Sequence, residues 1–393
     1  MNRSVAIPRS KVVLLAAVAV TVALAAVVLV AFISSGPAQA AHRAVEPANL
    51  LTLRSDGAHD DIWLLTTAGG EGTRVGELPG PAAWAAVSPD RTTVAYEPAD
   101  GRPEVWIGTT SAAPRTISLR DAGIKKFIGV SWASNSTLLI SGSKTNDITH
   151  DGRLYTVDVT TGAVTAFRDL SGTEANVSPD TGKVVYVKFK KLDNGSKKND
   201  YTPKYRESLM VTSMTGTGAG TELDSQTYRP VAEYRAFAWP LLAPGGDWVG
   251  YAQTGSDVSV TYYVAYLADS YMLPWYSMWQ SNSRAMAWAP ASPLLALGGT
   301  VTGPDDSLGC IYITDPAEGS LGRTPMDLLS KNNIEWVDDI AWSDGTQFVA
   351  DGTLKVAPAG AGASGGSHVL LLDTKDLTKL TDLGEGTNTV WVK

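Results

Sequence analysis

A short phrase recurs along this 393-residue chain and restricts its fold more than any other feature. It first appears as Ala85-Ala86-Val87-Ser88-Pro89-Asp90, followed by the strand-like Thr92-Thr93-Val94-Ala95-Tyr96. Related copies stand at Val130-Ser131-Trp132-Ala133-Ser134-Asn135, Ala175-Asn176-Val177-Ser178-Pro179-Asp180, Met286-Ala287-Trp288-Ala289-Pro290 and Ile340-Ala341-Trp342-Ser343-Asp344-Gly345. A looser copy lies in Phe237-Ala238-Trp239-Pro240-Leu241-Leu242-Ala243-Pro244-Gly245-Gly246. Pro presets φ at the first corner of a turn, Asp or Asn caps it, and Gly accepts the positive φ that closes it. Before the turn a small residue (Ala86, Ser131, Asn176, Ala287, Ala341) precedes a bulky one (Val87, Trp132, Val177, Trp288, Trp342). That alternation is strand periodicity, and it suits a sheet wedged between two neighbouring sheets.

The intervals between bulky residues set the size of the unit. Val87 to Trp132 and Trp132 to Val177 are 45 residues each, two units to Trp288 take 111, and Trp342 follows after 54. A four-stranded propeller blade needs about 40–50 residues, so the excess is loop insertion. The fourth copy aligns equally on Trp239 or on Leu242. The second unit shows all four strands, at Ser131-Trp132, Leu138–Ile140, Leu154–Asp158 and Val164–Phe167. Three strands precede the first phrase (Leu50–Arg54, Ile62–Thr67, Thr73–Leu78), and one lone strand, Asn388–Val392, follows the completed sixth unit. One and three make a seventh blade closed from both ends of the chain, which removes an exposed sheet edge. The expected fold is all-β: a single propeller of four-stranded blades over residues 49–393, seven in number with six as the alternative.

The Ser-Pro-Asp turn after an Ala-Trp or Ala-Val strand resembles the TolB-like, WD-like propeller repeat. The resemblance rests on Val87–Asp90, Val177–Asp180 and Ala341–Gly345 and covers the chain from about residue 49 onward. It implies an extracytoplasmic interaction module that binds envelope proteins. The chain departs from TolB in having a long apolar anchor and no room for an added N-terminal α/β domain. A prolyl-oligopeptidase-like hydrolase would need a nucleophile elbow before a helix, and Gly362-Ala363-Ser364-Gly365-Gly366 does not have that pattern.

Residues 1–11 read as a cytoplasmic leader carrying Arg3, Arg9 and Lys11, and Val12 to Ile33 is a run of 22 residues without charge. As a helix at about 1.5 Å per residue it spans roughly 33 Å, enough for a bilayer core of about 30 Å. The positive-inside rule puts the N-terminus in the cytoplasm and the propeller outside. The expectation is a single-pass cell-membrane protein with a transmembrane signal-anchor over 12–33. The alternative is a secreted protein whose signal peptide is cleaved after Ala40, in the small-x-small run Ala38-Gln39-Ala40. Residues 34–48, with Pro37 and Pro47, read as a linker.

The formal net charge is −8, and −11 once the three leader cations are set aside. An acidic body of this kind is a poor binder of nucleic acid. Cys310 is the only cysteine, so an internal disulfide and a cysteine-based zinc cluster are excluded; it reads as a small buried strand residue. The four histidines (His42, His59, His150, His368) are scattered and read as linker and exposed loop residues. The acid pairs Asp60-Asp61, Asp305-Asp306 and Asp338-Asp339 read as solvated turn caps. Only Asp338-Asp339, placed before an inner strand, is positioned to offer oxygen ligands to a hard cation at the channel mouth.

Two insertions remain as binding candidates. Lys188, Lys190, Lys191, Lys197 and Lys198 form a basic loop on an acidic body, between strands two and three of the third blade, suited to anionic headgroups or a wall polymer. Tyr271, Met272, Trp275, Tyr276 and Trp279 crowd a segment in which Pro274 should break any strand, leaving an irregular aromatic loop of the kind partners contact. The sequence specifies no catalytic group, metal or cofactor. It predicts a membrane-tethered scaffold for an envelope protein or polymer; the alternative is a small lyase- or cyclase-type enzyme or ligand binder using the central channel. Three or more acidic, His or Arg side chains converging on the channel would favour the alternative. A lining of Ala, Ser and backbone would favour the scaffold.

Overall fold

In a computed structural model, residues 49–147, 151–192, 204–228, 235–254, 259–268, 271–279, 285–302, 307–318, 320–323, 329, 332, 334–343, 346–354 and 366–393 are described. They form a seven-bladed β-propeller, with Pro47–Lys393 as one compact unit. Strands β1 (Asn49–Ser55), β2 (Asp60–Thr66) and β3 (Thr73–Glu77) come first. Blade 1 is β4 (Ala82–Val87), β5 (Thr93–Pro98), β6 (Glu104–Thr109) and β7 (Arg115–Ser118). Blade 2 is β8 (Lys126–Ser134), β9 (Thr137–Ser143), β10 (Gly152–Asp158) and β11 (Val164–Ser171); blade 3 is β12 (Thr173–Val177), β13 (Lys183–Leu192), β14 (Lys204–Ser213) and β15 (Thr221–Tyr228). Blade 4 is β16 (Arg235–Leu242), β17 (Trp248–Thr254), β18 (Ser259–Tyr266) and β19 (Tyr271–Trp279). Blade 5 is β20 (Met286–Trp288), β21 (Leu295–Thr302), β22 (Ser307–Asp315) and β23 (Ser320–Arg323). Blade 6 is β24 (Ile334–Trp342), β25 (Gln347–Leu354), β26 (Ser367–Asp373) and β27 (Asp376–Glu385), and β28 (Thr387–Val392) ends the series. Each blade is an antiparallel meander; blades 4 and 5 share one sheet through the single pair Trp279↔Thr300.

The seventh blade has the order β28-β1-β2-β3, so both ends of the described chain build it as the sequence predicts. Asn49 pairs with Val392 and Leu50 with Trp391, and Thr52 Oγ1 lies 2.9 Å from Thr389 Oγ1. The innermost strands β28, β4, β8, β12, β16, β20 and β24 touch in sequence around a closed ring. No helix among the described residues is long and apolar enough to cross a membrane, and the run 12–33 lies outside them.

The recurring phrase becomes the inner strand and the turn that leaves it. In the first copy the Ser88 amide donates to Thr93 O and Ser88 Oγ donates to Asp90 Oδ1 at 2.6 Å, while Arg91 takes φ +61°. That tight local network fixes the hairpin and holds the Asp90 carboxyl below its usual range, the Ser88 hydroxyl being the main cause. The small-then-bulky order now has a specific cause. Trp132 Nε1 donates to Ala86 O (2.8 Å), Trp288 Nε1 to Leu241 O (3.0 Å), Trp342 Nε1 to Ala287 O (2.9 Å) and Trp391 Nε1 to Ala341 O (2.9 Å). In each of these seams the indole of one blade seals against the main chain of the blade before it, at Ala in three and at Leu241 in the fourth. These bonds decide the ambiguous copy: Leu241 occupies the small-residue place, so Leu242, paired with Val249, is its bulky residue. They also expose a seventh copy, with Val390 and Trp391 in the two places.

Candidate functional site: the lumen between blades 1 and 4

The inner strands are interrupted by bulges at a common place. The register slips at Ala82/Trp84, Ile128/Val130, Thr173/Asn176 and Ala238/Leu241, and Gly129, Glu174, Trp239 and Asn388 take φ of +75°, +51°, +50° and +51°. An antiparallel bulge leaves one residue unpaired and re-aims its neighbours. Counting back from the bulky residue puts Trp84, Gly129, Glu174, Trp239, Ala285, Asp339 and Asn388 in one ring layer. Only glycine adopts such a φ without steric cost, so three non-glycine residues here are strained and must be held.

What holds them is a set of polar side chains reaching across the seams. Glu97 Oε2 accepts the Gly129 amide (2.8 Å), Glu174 Oε2 the Trp239 amide (2.8 Å) and Asp351 Oδ2 the Thr389 amide (2.9 Å). Ser131 Oγ accepts from the Val177 amide, Asn176 Oδ1 from Leu242, Glu207 Oε2 from Phe237 and Asp60 Oδ2 from Ala82. Every one of these amides belongs to the next blade's inner strand or its approach. The carboxylates are deeply buried (Glu207 0%, Asp351 1%, Glu97 4%). Burial pushes the Asp351 carboxyl up to about 7, with the Asp338 charge adding to the rise and the Thr389 bonds opposing it; its Oδ1 has no hydrogen-bond partner.

The bulged strands β4, β8, β12 and β16 enclose a cavity of about 290 Å³. Its wall includes Trp84 and Trp239, both half-buried, with Ala86, Val87, Ser131, Asn176 and Val177 between them and Pro89, Pro179 and Pro240 also lining it. Among the described residues Glu174 is its one ionisable side chain. Three of these four blades carry Val87, Val177 or Leu242 where blades 5, 6 and 7 carry Trp. A concave, largely apolar site with a few fixed polar groups is the usual form of a ligand pocket.

Other candidates fall differently from expectation. Tyr271–Trp279 is not an irregular loop but β19, paired with β18 at every position except Trp275. Pro274 stands opposite Tyr263 beside a register shift that leaves Trp275 unpaired, and a bulge on an outer strand is where a sheet tolerates Pro. The side chains of Tyr271, Met272, Trp275, Tyr276 and Trp279 lie outside the described residues. Lys188, Lys190 and Lys191 are also in a strand, β13, opposite Ser208, Arg206 and Tyr205, because the β13–β14 arm extends further than a plain blade strand; Lys197 and Lys198 lie outside the described residues. The arm does join strands two and three of blade 3, as expected.

Asp338 and Asp339 lie within β24 rather than before it, and Asp339 Oδ1 accepts the Ile340 amide at 2.7 Å. Asp60 is a buried seam residue rather than a turn cap, whereas Asp61 meets Arg74 at 2.6 Å on the surface. Asp305 and Asp306 lie outside the described residues. His59 is an exposed turn residue; His368 lies on β26, Nδ1 2.9 Å from Asp382, and not in a loop. His42 and His150 lie outside the described residues. Cys310 is a buried residue of β22. Among the described residues no three His, Cys, Asp or Glu are grouped to hold a metal ion.

No protein family matches the chain, and no curated protein matches it by sequence. Solved structures do. Puromycin hydrolase is 15% identical with a TM-score of 0.50, the match covering 88% of this chain and 54% of that one. The propeller domain of the trilobed protease from Pyrococcus furiosus is 12% identical (TM-score 0.48, 87% and 96% covered), and TolB from Acinetobacter baumannii 14% (0.44, 92% and 86%). The chain spans about half the length of puromycin hydrolase. At such identities the likeness is one of architecture alone, and the β-propeller itself is shown by the strand topology.

Proposed function

We propose that this protein is a recognition scaffold: a propeller of TolB-like type, tethered outside the cell membrane by Val12–Ile33, that engages an envelope protein or polymer at its lumen. The observation that carries this reading is the cavity bounded by blades 1 to 4. Indole, proline and small side chains supply contact area at low entropic cost. The single carboxylate there already accepts a main-chain amide. General acid–base chemistry calls for a positioned acid and base together, and the described lining offers one titratable group, which favours binding over a lyase- or cyclase-type reaction. The Ser-Pro-Asp turns support envelope scaffolding by resemblance. Lys190 and Lys191, exposed on β13, suit a second contact with anionic headgroups or a wall polymer.

Excising Tyr271–Trp279 would remove an entire blade strand, so point substitutions are the proper probe. Full-length tagged protein captured from solubilised membranes after cross-linking should retain a partner, and Trp84→Ala or Trp239→Ala should release it. An unchanged partner set in both variants would remove the lumen from the interaction, and a bare wild-type protein would end the scaffold reading. N-terminal sequencing of mature protein distinguishes a retained anchor from cleavage after Ala40.

A further inference from the structure

We propose that the lumen cavity holds a short, extended, proline-rich protein segment, an uncharged run of tertiary amides that offers carbonyl oxygens and apolar rings. The inference rests on the scaffold reading and names the kind of segment the scaffold holds. It starts from the polar side chains of the wall, whose acceptors are already spent. Asn176 Oδ1 accepts the Leu242 amide at 2.9 Å, and Glu174, whose Oε2 accepts the Trp239 amide, is engaged further. Ser131 Oγ accepts twice, from the Val177 amide at 3.1 Å and from Asn176 Nδ2 at 3.4 Å. Only donors remain unspent on these side chains. A hydroxyl with both lone pairs taken keeps its hydrogen to give, and the Asn176 amide has a second N–H beyond the one aimed at Ser131. Trp239 Nε1 has no hydrogen-bond partner among the described residues, whereas the indoles of Trp132, Trp288, Trp342 and Trp391 all donate across the seams.

An ordinary peptide lying there would bury N–H groups for which these side chains have no acceptor left, a costly state. Proline has no backbone N–H, and a proline-rich strand takes the polyproline II form, whose carbonyls are free of internal hydrogen bonds. Such strands dock in aromatic-lined grooves at low entropic cost. The cavity supplies that groove: Trp84 and Trp239 line it, together with the exposed turn residues Pro89 and Pro179. Gly129 leaves a notch in the wall, since a Cβ there would meet only the Glu174 backbone, at 3.6 Å. A neutral saccharide could stack on the same indoles, but its hydroxyl hydrogens would meet the same lack of acceptors. Among the described residues no Lys, Arg or His lines the cavity, so an anionic polymer gains no counter-charge there.

The test is calorimetric titration of the full chain in non-ionic detergent with acetyl-tetraproline dimethylamide, acetyl-tetraalanine dimethylamide and cellotetraose. The proline probe should bind about ten-fold more tightly than either of the others. Trp239→Phe keeps a ring and removes the N–H, and it should weaken the proline probe about five-fold. Asn176→Asp keeps an acceptor for the Leu242 amide but exchanges the donor for a carboxylate, and it should weaken the probe as well. Trp84→Leu leaves all three donors in place and should also weaken the probe; it keeps the inference testable should the aspartate variant misfold. Equal affinity for the proline and alanine probes, tighter binding of cellotetraose, or no binding at all overturns the inference. So does proline binding that neither Trp239→Phe nor Asn176→Asp changes. A partner captured from membranes alongside no proline binding would leave the scaffold reading standing. Proline binding with no captured partner would remove the scaffold reading alone.

Discussion

The seams of this ring are of two kinds, those that an indole fills and those that it does not. Between blades 1 and 2, 4 and 5, 5 and 6, and 6 and 7, an indole fills the space and bonds the preceding main chain. Between blades 7 and 1, 2 and 3, and 3 and 4, the bulky residue is Val87, Val177 or Leu242, and side-chain acceptors such as Asp60, Ser131 and Glu207 tie the amides instead. The indole seams close by area and the indole bond, with Glu97 and Asp351 adding an amide acceptor in the 1–2 and 6–7 seams. The seams without an indole close by hydrogen bonds to side chains, and two of the three, 2–3 and 3–4, border the cavity. A propeller can thus be sealed throughout and still keep an open lumen on one side.

Substitutions can break that contrast, and the largest effect belongs to the indole side. Trp391→Ala should cost about 3–5 kcal/mol, read by urea denaturation, because it removes a large buried side chain from the closing seam. Trp391→Phe, losing mainly the bond to Ala341 O, should cost about 1–2 kcal/mol. On the polar side Glu207→Leu should cost about 1–3 kcal/mol by orphaning the Phe237 amide, and Glu207→Gln should recover most of it. If the leucine variant is instead neutral, the carboxylate is not what closes the seam.

Asp351 makes a sharper test because its charge is unfavourable where it sits. Its folded pKa, about 7, lies above the ordinary 3.8, so the folded state holds the proton more tightly. Its contribution is fully present below about pH 4 and is lost as pH rises through 7. Asp351→Asn should therefore gain on wild type by up to about 4 kcal/mol between pH 4 and 8, seen in denaturation midpoints across that range. A constant difference would show that the carboxyl does not titrate there. Surface pairs give the baseline: Arg74→Ala, breaking exposed contacts with Asp61 and Glu77, should move stability by less than about 0.5 kcal/mol.

The indole seams were legible in the sequence, since small-then-Trp repeats at blade spacing and the strands flanking it alternate. The closing blade was legible by strand count, with three strands before the first phrase and one, Asn388–Val392, after the sixth unit. The side-chain acceptors that cross the seams were not. Glu97, Ser141 and Asp351 share one place in the second strand of their blades, but three different side chains do the job there and a mere acceptor atom is required. The bulges were hidden because Glu174, Trp239 and Asn388 adopt positive φ under tertiary constraint, with nothing in their identities to announce it. Pro274 misled for a related reason, as its cost vanishes at an outer strand beside a bulge. The cavity, assembled from four separate strands, had no local signature at all.

The pairing of β1 with β28 also sets a timetable. Thr52 and Thr389 are 337 positions apart, so the first meander to leave the ribosome must wait for nearly the whole chain before its inner edge is covered. Until then Leu50, Leu51 and Leu53 sit on a strand with an open ladder, the kind of edge that recruits foreign strands. During synthesis or export, that waiting strand is where a chaperone would have the most to protect.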